Sequence, residues 1–184
     1  RVLQDCKVVF TISEFSKRRM VELLGANPNK IVVAKCGVED VFFKMATVPR
    51  NEIEPPIAAP YTIVIGGLRE KKGAADTLAV ARSLLAYKSE LQIVVAGNSE
   101  PEYIEAAKDL PNVHLLGLVE EERLPRLVRG ASSMLFLTPY EGFGIPALEA
   151  MAAGIPVVVS NRASLPEVVR DSGFVLEPNE TEII

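Results

Sequence analysis

Short apolar runs that alternate with helix-period segments restrict the fold of this 184-residue chain more than any other feature. The runs occupy residues 8–12, 31–34, 61–65, 91–96, 113–116, 134–137, 156–160 and 174–176. They are apolar along nearly their whole length, as strands are when both of their faces are buried. Because helical segments separate these strands, the pattern predicts an α/β fold: a Rossmann-like parallel sheet with helices on both faces.

A proline-rich stretch divides the chain into two parts. Hydrophobic periodicity disappears before the third apolar run, and four prolines lie close together there. Since proline removes a backbone donor, residues 46–60 are predicted to be a linker. Residues 1–45 then hold a buried strand, a helix that begins at Ser13 and ends at Gly25, and a second strand. Residues 61–184 hold the larger domain.

Composition excludes several classes of protein. The net charge of −4 offers no basic surface for nucleic acid, so no nucleic-acid partner is expected. No apolar run is long enough to span a membrane, and the first residues do not resemble a signal peptide. Cys6 and Cys36 lack zinc-like spacing and indicate two thiols in a reducing compartment. The chain begins with Arg1 rather than methionine, so we expect it to be a segment of a longer protein.

Loops at the carboxyl ends of the strands are the expected ligand site, because ligands of such sheets bind where the strand order reverses. Three candidates are residues 66–73, 97–99 and 138–144. The first follows a strand and opens a helix, so its N–H groups and the helix dipole favour an anion, which Lys72 could also contact. Its glycine spacing fits neither the dinucleotide fingerprint nor a Walker loop. A solvated charged turn is the alternative.

Two carboxylates, Glu141 and Glu149, stand eight positions apart around a predicted helix start. Gly142 and Gly144 let the backbone approach a ligand closely, and Pro146 suits the first helical turn. Hydroxyl groups suit the carboxylates and a pyrophosphate suits the exposed N–H groups, so a sugar nucleotide is the first hypothesis. Judged without its surroundings, the pair has an equally good alternative interpretation, in which one glutamate caps the helix and the other is an ordinary acid on the helix face.

Residues 140–160 resemble the donor-site segment of retaining glycosyltransferases of the GT-B fold, in the large family numbered four (group 1 type). In that family two glutamates separated by seven residues flank a Gly-Phe-Gly turn and precede an Ala-Met-Ala-x-Gly-x-Pro-Val run, as they do here. The resemblance extends to residues 13–17, 29–33, 37–39, 72–73, 165–169 and 173–178. It implies that residues 61–184 are a nucleotide-sugar donor-binding domain and that residues 1–45 are a remnant of the exit from the N-terminal domain.

The resemblance also implies roles for individual residues. Lys72 would contact the diphosphate, Glu149 the ribose hydroxyls and Glu141 the donor sugar, which makes Glu141 and Lys72 the catalytic residues. The other donor-binding positions are Gly66, Gly67, Arg69, Gly117, Leu118, Val119, Gly142, Phe143, Gly144 and Ile145, with residues 117–119 beside the base. Transfer in this family keeps the anomeric configuration and needs no metal ion or cofactor, because side chains and a helix N-terminus stabilise the leaving diphosphate.

The chain departs from the family pattern in two ways. The family commonly has an arginine where Gly67 stands, and Arg69, two positions on, would have to replace it. The acceptor-binding N-terminal domain is represented only by its last strand, helix and strand. Because a bilobal transferase closes two domains around its substrates, we expect this chain to bind its donor weakly and to transfer no sugar alone.

The resemblance thus predicts part of a hexosyltransferase of polysaccharide biosynthesis. Its partners would be a UDP- or GDP-hexose and a saccharide or lipid-linked acceptor. The intact enzyme would be cytoplasmic, and a lipid-linked acceptor would bring it to the membrane face. Two alternatives remain open: another GT-B enzyme, such as a nucleotide-sugar epimerase or a phosphorylase, and a non-catalytic scaffold or regulatory domain, which the Gly67 departure favours slightly.

Overall fold

The computed structural model describes residues 5–177 and arranges them around two parallel sheets, one of two strands and one of six. The strands are β1 (Val9–Thr11), β2 (Ile31–Val33), β3 (Tyr61–Ile65), β4 (Gln92–Ala96), β5 (Val113–Gly117), β6 (Ser133–Phe136), β7 (Val157–Ser160) and β8 (Phe174–Leu176). The helices are α1 (Glu14–Leu24), α2 (Asp40–Ala46), α3 (Ala74–Ala86), α4 (Pro101–Ala107), α5 (Leu124–Gly130), α6 (Ile145–Ala152) and α7 (Leu165–Val169).

The six-stranded sheet has the order β5-β4-β3-β6-β7-β8, and all neighbouring strands are parallel. The chain adds β4 and β5 on one side of β3 and then returns to place β6 on the other side. Strand order therefore reverses between β3 and β6, which is the position at which sheets of this kind bind ligands, in a crevice beyond the carboxyl ends of the strands. The predicted Rossmann-like parallel sheet is confirmed.

Two apolar clusters cover the two faces of this sheet. Successive strand residues point to opposite faces, so Ile63 and Met134 belong to one cluster while Val64 and Leu135 belong to the other. The first cluster is completed by buried residues of α5, α6 and α7, and the second by residues of α3 and α4. Burial on both faces explains why the central strands β3, β4, β6 and β7 are apolar along most of their length rather than alternating.

The smaller sheet has a different environment. Ser13 begins α1 by accepting a hydrogen bond from the Ser16 N–H at 2.9 Å, and Gly25 ends the helix in the left-handed conformation, both as predicted. The prediction that the first strand is buried is wrong, because the Phe10 side chain is 67% exposed. Leu24 of α1 is exposed as well. Two strands and one helix leave the second face of the sheet uncovered, so their apolar residues remain in contact with solvent.

The stretch predicted to be a linker, residues 46–60, packs against the larger domain, and so does the segment just before it. Helix α2, which the sequence pattern did not reveal, places Phe42 in the first apolar cluster with only 4% of its surface exposed. Farther along, Ile53 is buried, and Arg129 donates from its Nε to the Val48 carbonyl at 3.1 Å. The domain boundaries themselves stay a prediction. Within residues 5–177, none of the helices has the length and apolar composition that a bilayer crossing requires.

Candidate functional site

The loops that follow β3 and β6 meet in the crevice at the strand-order reversal. Gly73, which precedes α3, has φ +75°, and a Cβ atom placed on it would lie 2.2 Å from the Leu137 carbonyl oxygen. Only glycine permits this approach of the two backbones. The Thr138 hydroxyl donates to the Lys71 carbonyl at 2.9 Å and holds the loops together. Two sequence-distant segments are thereby brought into one site.

An ion pair joins the two loops across the crevice. The Lys72 Nζ atom lies 2.9 Å from the Glu141 Oε2 atom, and the two side chains are 27% and 22% exposed. The second carboxylate oxygen of Glu141 accepts the Gly142 N–H at 3.2 Å. Lys72 also lies 5.6 Å from the centroid of the Phe136 ring. The two residues predicted to be catalytic are therefore in direct contact, and each is oriented by a further partner.

Buried hydroxyl groups form hydrogen bonds to the backbone of the loop that follows β6. Thr138, Ser160 and Ser164 are all buried. Ser160 donates to the Thr138 carbonyl at 2.8 Å, and the Ser164 Oγ atom lies 2.8 Å from the Glu141 carbonyl oxygen and 2.9 Å from that of Phe143. None of them was assigned this role from the sequence. For Thr138 and Ser160 the available signal was a hydroxyl residue directly after, or at the end of, an apolar run, whereas Ser164 has no such signal.

Helix α6 carries the second predicted carboxylate. It begins after Gly144, which has φ +109°, and a Cβ atom there would lie 2.7 Å from the Leu165 side chain. Burial raises the pKa of the Glu149 carboxyl above its ordinary value, and the nearby Glu39 carboxylate raises it further. Hydroxyl donors from a ligand would stabilise the ionised form of Glu149, because a charged acceptor gains most from such bonds. Glu39 is a neighbour that the sequence did not place here.

Glu149 is expected to lower the stability of the ligand-free protein at neutral pH. Its raised pKa means that the folded state binds the proton more tightly than the unfolded chain. The stability that the protonated carboxyl confers is present below pH 4.5, the ordinary value, and is lost as the pH rises through the raised pKa. Glu149→Gln should therefore increase the free energy of unfolding at neutral pH and flatten its dependence above pH 4.5, measured by urea denaturation.

Two matched variants make this measurement decisive. Glu39→Gln removes the weaker of the two causes and should give a smaller stabilisation, whereas Glu90→Gln changes an exposed glutamate far from the site and should have no effect. A Glu149→Gln protein that is less stable than the wild type at neutral pH, with an unchanged pH dependence, would contradict this account.

The glycine pair after β3 forms a tight turn rather than an open cradle. Gly66 and Gly67 have φ +103° and +76°, and both N–H groups donate to the Ala96 carbonyl, at 2.8 and 3.0 Å. A Cβ atom on Gly67 would lie 2.0 Å from the Asn98 carbonyl oxygen, so the arginine common in the family does not fit this backbone. The Arg69 side chain lies along Glu100, with its Nε atom 3.8 Å from Oε1.

The segment predicted to lie beside the base follows β5 at the same edge of the sheet. Gly117 ends the strand with φ +67°, and its carbonyl accepts the Gly97 N–H at 2.7 Å. Leu118 is 78% exposed, whereas Val119 packs against the first apolar cluster. Among residues 5–177, no three His, Cys, Asp or Glu residues are grouped as a metal site would require.

The parallel sheet and its flanking helices define a Rossmann-like domain, and comparison with known proteins identifies its family. The family model of glycosyl transferases group 1 matches residues 49–184. The chain therefore belongs to the glycosyl transferases group 1 family. O-antigen chain mannosyltransferase B of Escherichia coli is 31% identical over 99% of this chain and 50% of its own length. An MMP alpha-(1->4)-mannosyltransferase of Mycolicibacterium hassiacum is 30% identical over 94% of this chain and 41% of its own length.

Solved structures show the same fold. HepE from Anabaena, crystallised with UDP and glucose, superposes with a TM-score of 0.79 at 18% identity, covering 98% of this chain and 52% of HepE. WaaG, a glycosyltransferase involved in lipopolysaccharide biosynthesis, superposes with a TM-score of 0.76 at 18% identity, covering 94% of this chain and 51% of WaaG. The chain thus spans about half the length of the proteins that it resembles in sequence and in structure.

Proposed function

We propose that this chain is the donor-binding part of a retaining hexosyltransferase and that its crevice holds a UDP- or GDP-hexose. The observation that carries the proposal is the Lys72–Glu141 ion pair at the point where strand order reverses. It places a cation suited to a diphosphate directly beside a carboxylate suited to sugar hydroxyls. The membership of the family supports the same reaction class.

Each part of the donor has a proposed partner. The diphosphate lies against Lys72 and the N-terminus of α6, where the helix dipole favours negative charge. The ribose hydroxyls donate to Glu149, and the hexose hydroxyls donate to Glu141. The base lies beside residues 117–119. Support for a nucleotide ligand comes from HepE, which shares the fold and was crystallised with UDP and glucose.

Charge stabilisation accounts for the proposed chemistry. When the bond between the anomeric carbon and the diphosphate oxygen breaks, negative charge develops on that oxygen. Lys72 and the N–H groups that begin α6 are oriented before the reaction and stabilise this charge without a metal ion. The acceptor hydroxyl oxygen then bonds to the anomeric carbon on the face that the diphosphate leaves, and its proton passes to the departing diphosphate oxygen. Reaction on that face retains the anomeric configuration. The cellular location and the acceptor stay predictions from the resemblance.

This chain is expected to bind its donor without transferring sugar. It spans about half the length of its curated relatives, and a bilobal transferase needs both halves to exclude water and align the acceptor. We therefore propose that the 184-residue chain binds its donor nucleotide and transfers no sugar alone. Turnover of UDP-glucose or GDP-mannose by the purified chain in the presence of an acceptor would contradict this separation.

Calorimetric titration with UDP, GDP and ADP tests the proposal. We expect one nucleotide to bind in preference to the others, which identifies the base. Glu149→Gln, which is expected to stabilise the free protein, should weaken that binding by about 1–3 kcal/mol because it removes a charged hydrogen-bond acceptor. Failure of all three nucleotides to bind would instead favour a non-catalytic domain, for which Gly67 in place of arginine is the supporting observation.

A further inference from the structure

The carboxylate of Glu167, in helix α7, connects that helix to the first turn of α1, the helix that follows β1 of the smaller sheet. The Glu167 Oε1 and Oε2 atoms accept the N–H groups of Glu14 and Phe15, each at 3.0 Å. These N–H groups belong to the first turn of α1, where a helix has no internal acceptors for them. Ser13 accepts the N–H of Ser16 in the same turn. The first turn of α1 is therefore satisfied in part by a residue more than 150 positions away in the chain.

The same turn of α1 contacts the loop that carries Glu141. The Ser16 hydroxyl donates to the Gly142 carbonyl at 3.3 Å. The Phe15 ring meets the Tyr140 ring edge-on, with centroids 5.4 Å apart and an interplanar angle of 70°. The Ser16 hydroxyl and the Phe15 ring thus contact the two residues that flank Glu141. Any displacement of α1 would be transmitted to this carboxylate.

The segment that contains Glu167 holds the same loop from the other side. Ser164, three residues earlier, is fully buried, and its hydroxyl lies within hydrogen-bond distance of the carbonyl oxygens of Glu141 and Phe143. Leu165, between them, is also fully buried, which fixes the segment in the core. Residues 164–167 therefore contact the Glu141 loop in two ways. Ser164 binds the loop directly, and Glu167 acts on it indirectly by anchoring α1, which contacts the loop.

We propose that Glu167 is a positioning residue for recognition of the donor sugar. It anchors the first turn of α1 so that Phe15 and Ser16 set the position of Glu141, the carboxylate that meets the hexose. The inference rests on the proposed function, since it concerns the sugar half of the same donor. Lys72 and Glu149, the proposed partners of the nucleotide half, belong to other elements, so we expect Glu167 to act chiefly on the sugar half through Glu141. Loss of Glu167 should therefore reduce the preference for a sugar nucleotide over the free nucleotide.

Titration of four ligands distinguishes this role from a general structural one. The wild type and Glu167→Ala are titrated with UDP, UDP-glucose, GDP and GDP-mannose, and the pair that binds the wild type is used for comparison. We expect Glu167→Ala to weaken sugar-nucleotide binding about tenfold, as expected for a hydrogen-bonded charge, and to change free-nucleotide binding less than about twofold. Glu167→Gln, which keeps one acceptor oxygen, should restore part of the difference.

Three further variants complete the design. Asp171→Ala removes an exposed carboxylate of the next turn and should change neither affinity. Ser16→Ala leaves Glu167 in place and should reduce the sugar preference in the same direction, which covers the case of a Glu167→Ala protein that does not fold. Lys72→Ala should weaken the binding of the free nucleotide and of the sugar nucleotide alike.

The possible outcomes separate the two hypotheses. Equal losses for the nucleotide and the sugar nucleotide in Glu167→Ala, or no loss for either, would overturn the positioning role while leaving the proposed function in place. A wild-type chain that binds none of the four ligands would overturn the proposed function and this inference with it.

Discussion

Gly67→Ala is expected to destabilise the protein by about 2–5 kcal/mol, because strain in the left-handed region adds to overpacking against a neighbouring loop. Gly67 has φ +76°, and a Cβ atom would lie 2.0 Å from the Asn98 carbonyl oxygen. That oxygen belongs to backbone, which cannot rotate away as a side chain would. An arginine at this position carries the same Cβ atom and should be no better tolerated.

Gly25→Ala provides the matched control for this substitution. Gly25 has φ +61°, similar to that of Gly67, but no atom lies within 4 Å of the position of its Cβ atom. Gly25→Ala should therefore reduce the free energy of unfolding only by the conformational strain, about 1–2 kcal/mol. Free energies of unfolding from urea denaturation give both values. Equal losses at the two glycines would show that the loop at Asn98 moves away and that the family arginine could be accommodated.

Lys72→Ala is expected to weaken binding of the preferred nucleoside diphosphate by about 1–3 kcal/mol, or about five- to 150-fold, because a charged hydrogen-bond donor is lost. Lys72 lies in the crevice with its Nζ atom on the Glu141 carboxylate. Removing the ammonium also leaves that carboxylate unpaired beside the incoming diphosphate. Repulsion between the two negative groups places the expected loss toward the upper end of this range.

Lys71→Ala is the control for the change of charge. Lys71 is adjacent in sequence, has the same charge and is exposed. Isothermal titration of both variants at two ionic strengths separates contact from general attraction, since salt screens exposed charges more strongly than partly buried ones. If the two lysines prove equivalent, the site assignment of Lys72 fails, and the loop is the solvated charged turn that the sequence left as an alternative.

Most of the fold could be predicted because it depends on local pattern. Strands buried on both faces must be apolar along their length, so β3, β4, β6 and β7 were visible as uninterrupted runs. Helix α1 could be delimited because Ser13 and Gly25 are strong capping residues. The exposure of β1 could not be predicted, since it depends on what lies over the sheet rather than on the strand itself.

The sequence named candidate residues of the site but not their contacts. Glu141, Glu149 and Lys72 were proposed from spacing and from resemblance, and their roles stay predictions. Glu39 and Glu167 lie in segments that the resemblance covers, but their contacts depend on the tertiary fold. Nothing in the local sequence indicated Ser164. Helix α2 was missed for a related reason: its seven residues are too few to show a clear period beside so many prolines.

By itself, the sequence determined the succession of strands and of all helices but α2 along the chain, the family resemblance, and the chemical types of residue at the carboxyl ends of the strands. Those properties follow from local periodicity, capping and residue identity. Only the tertiary structure decided that Lys72 pairs with Glu141, that Gly67 has no room for a side chain, and that Glu167 anchors the first turn of α1. Each of these depends on an approach between backbone segments distant in sequence, which the folded sheet brings together.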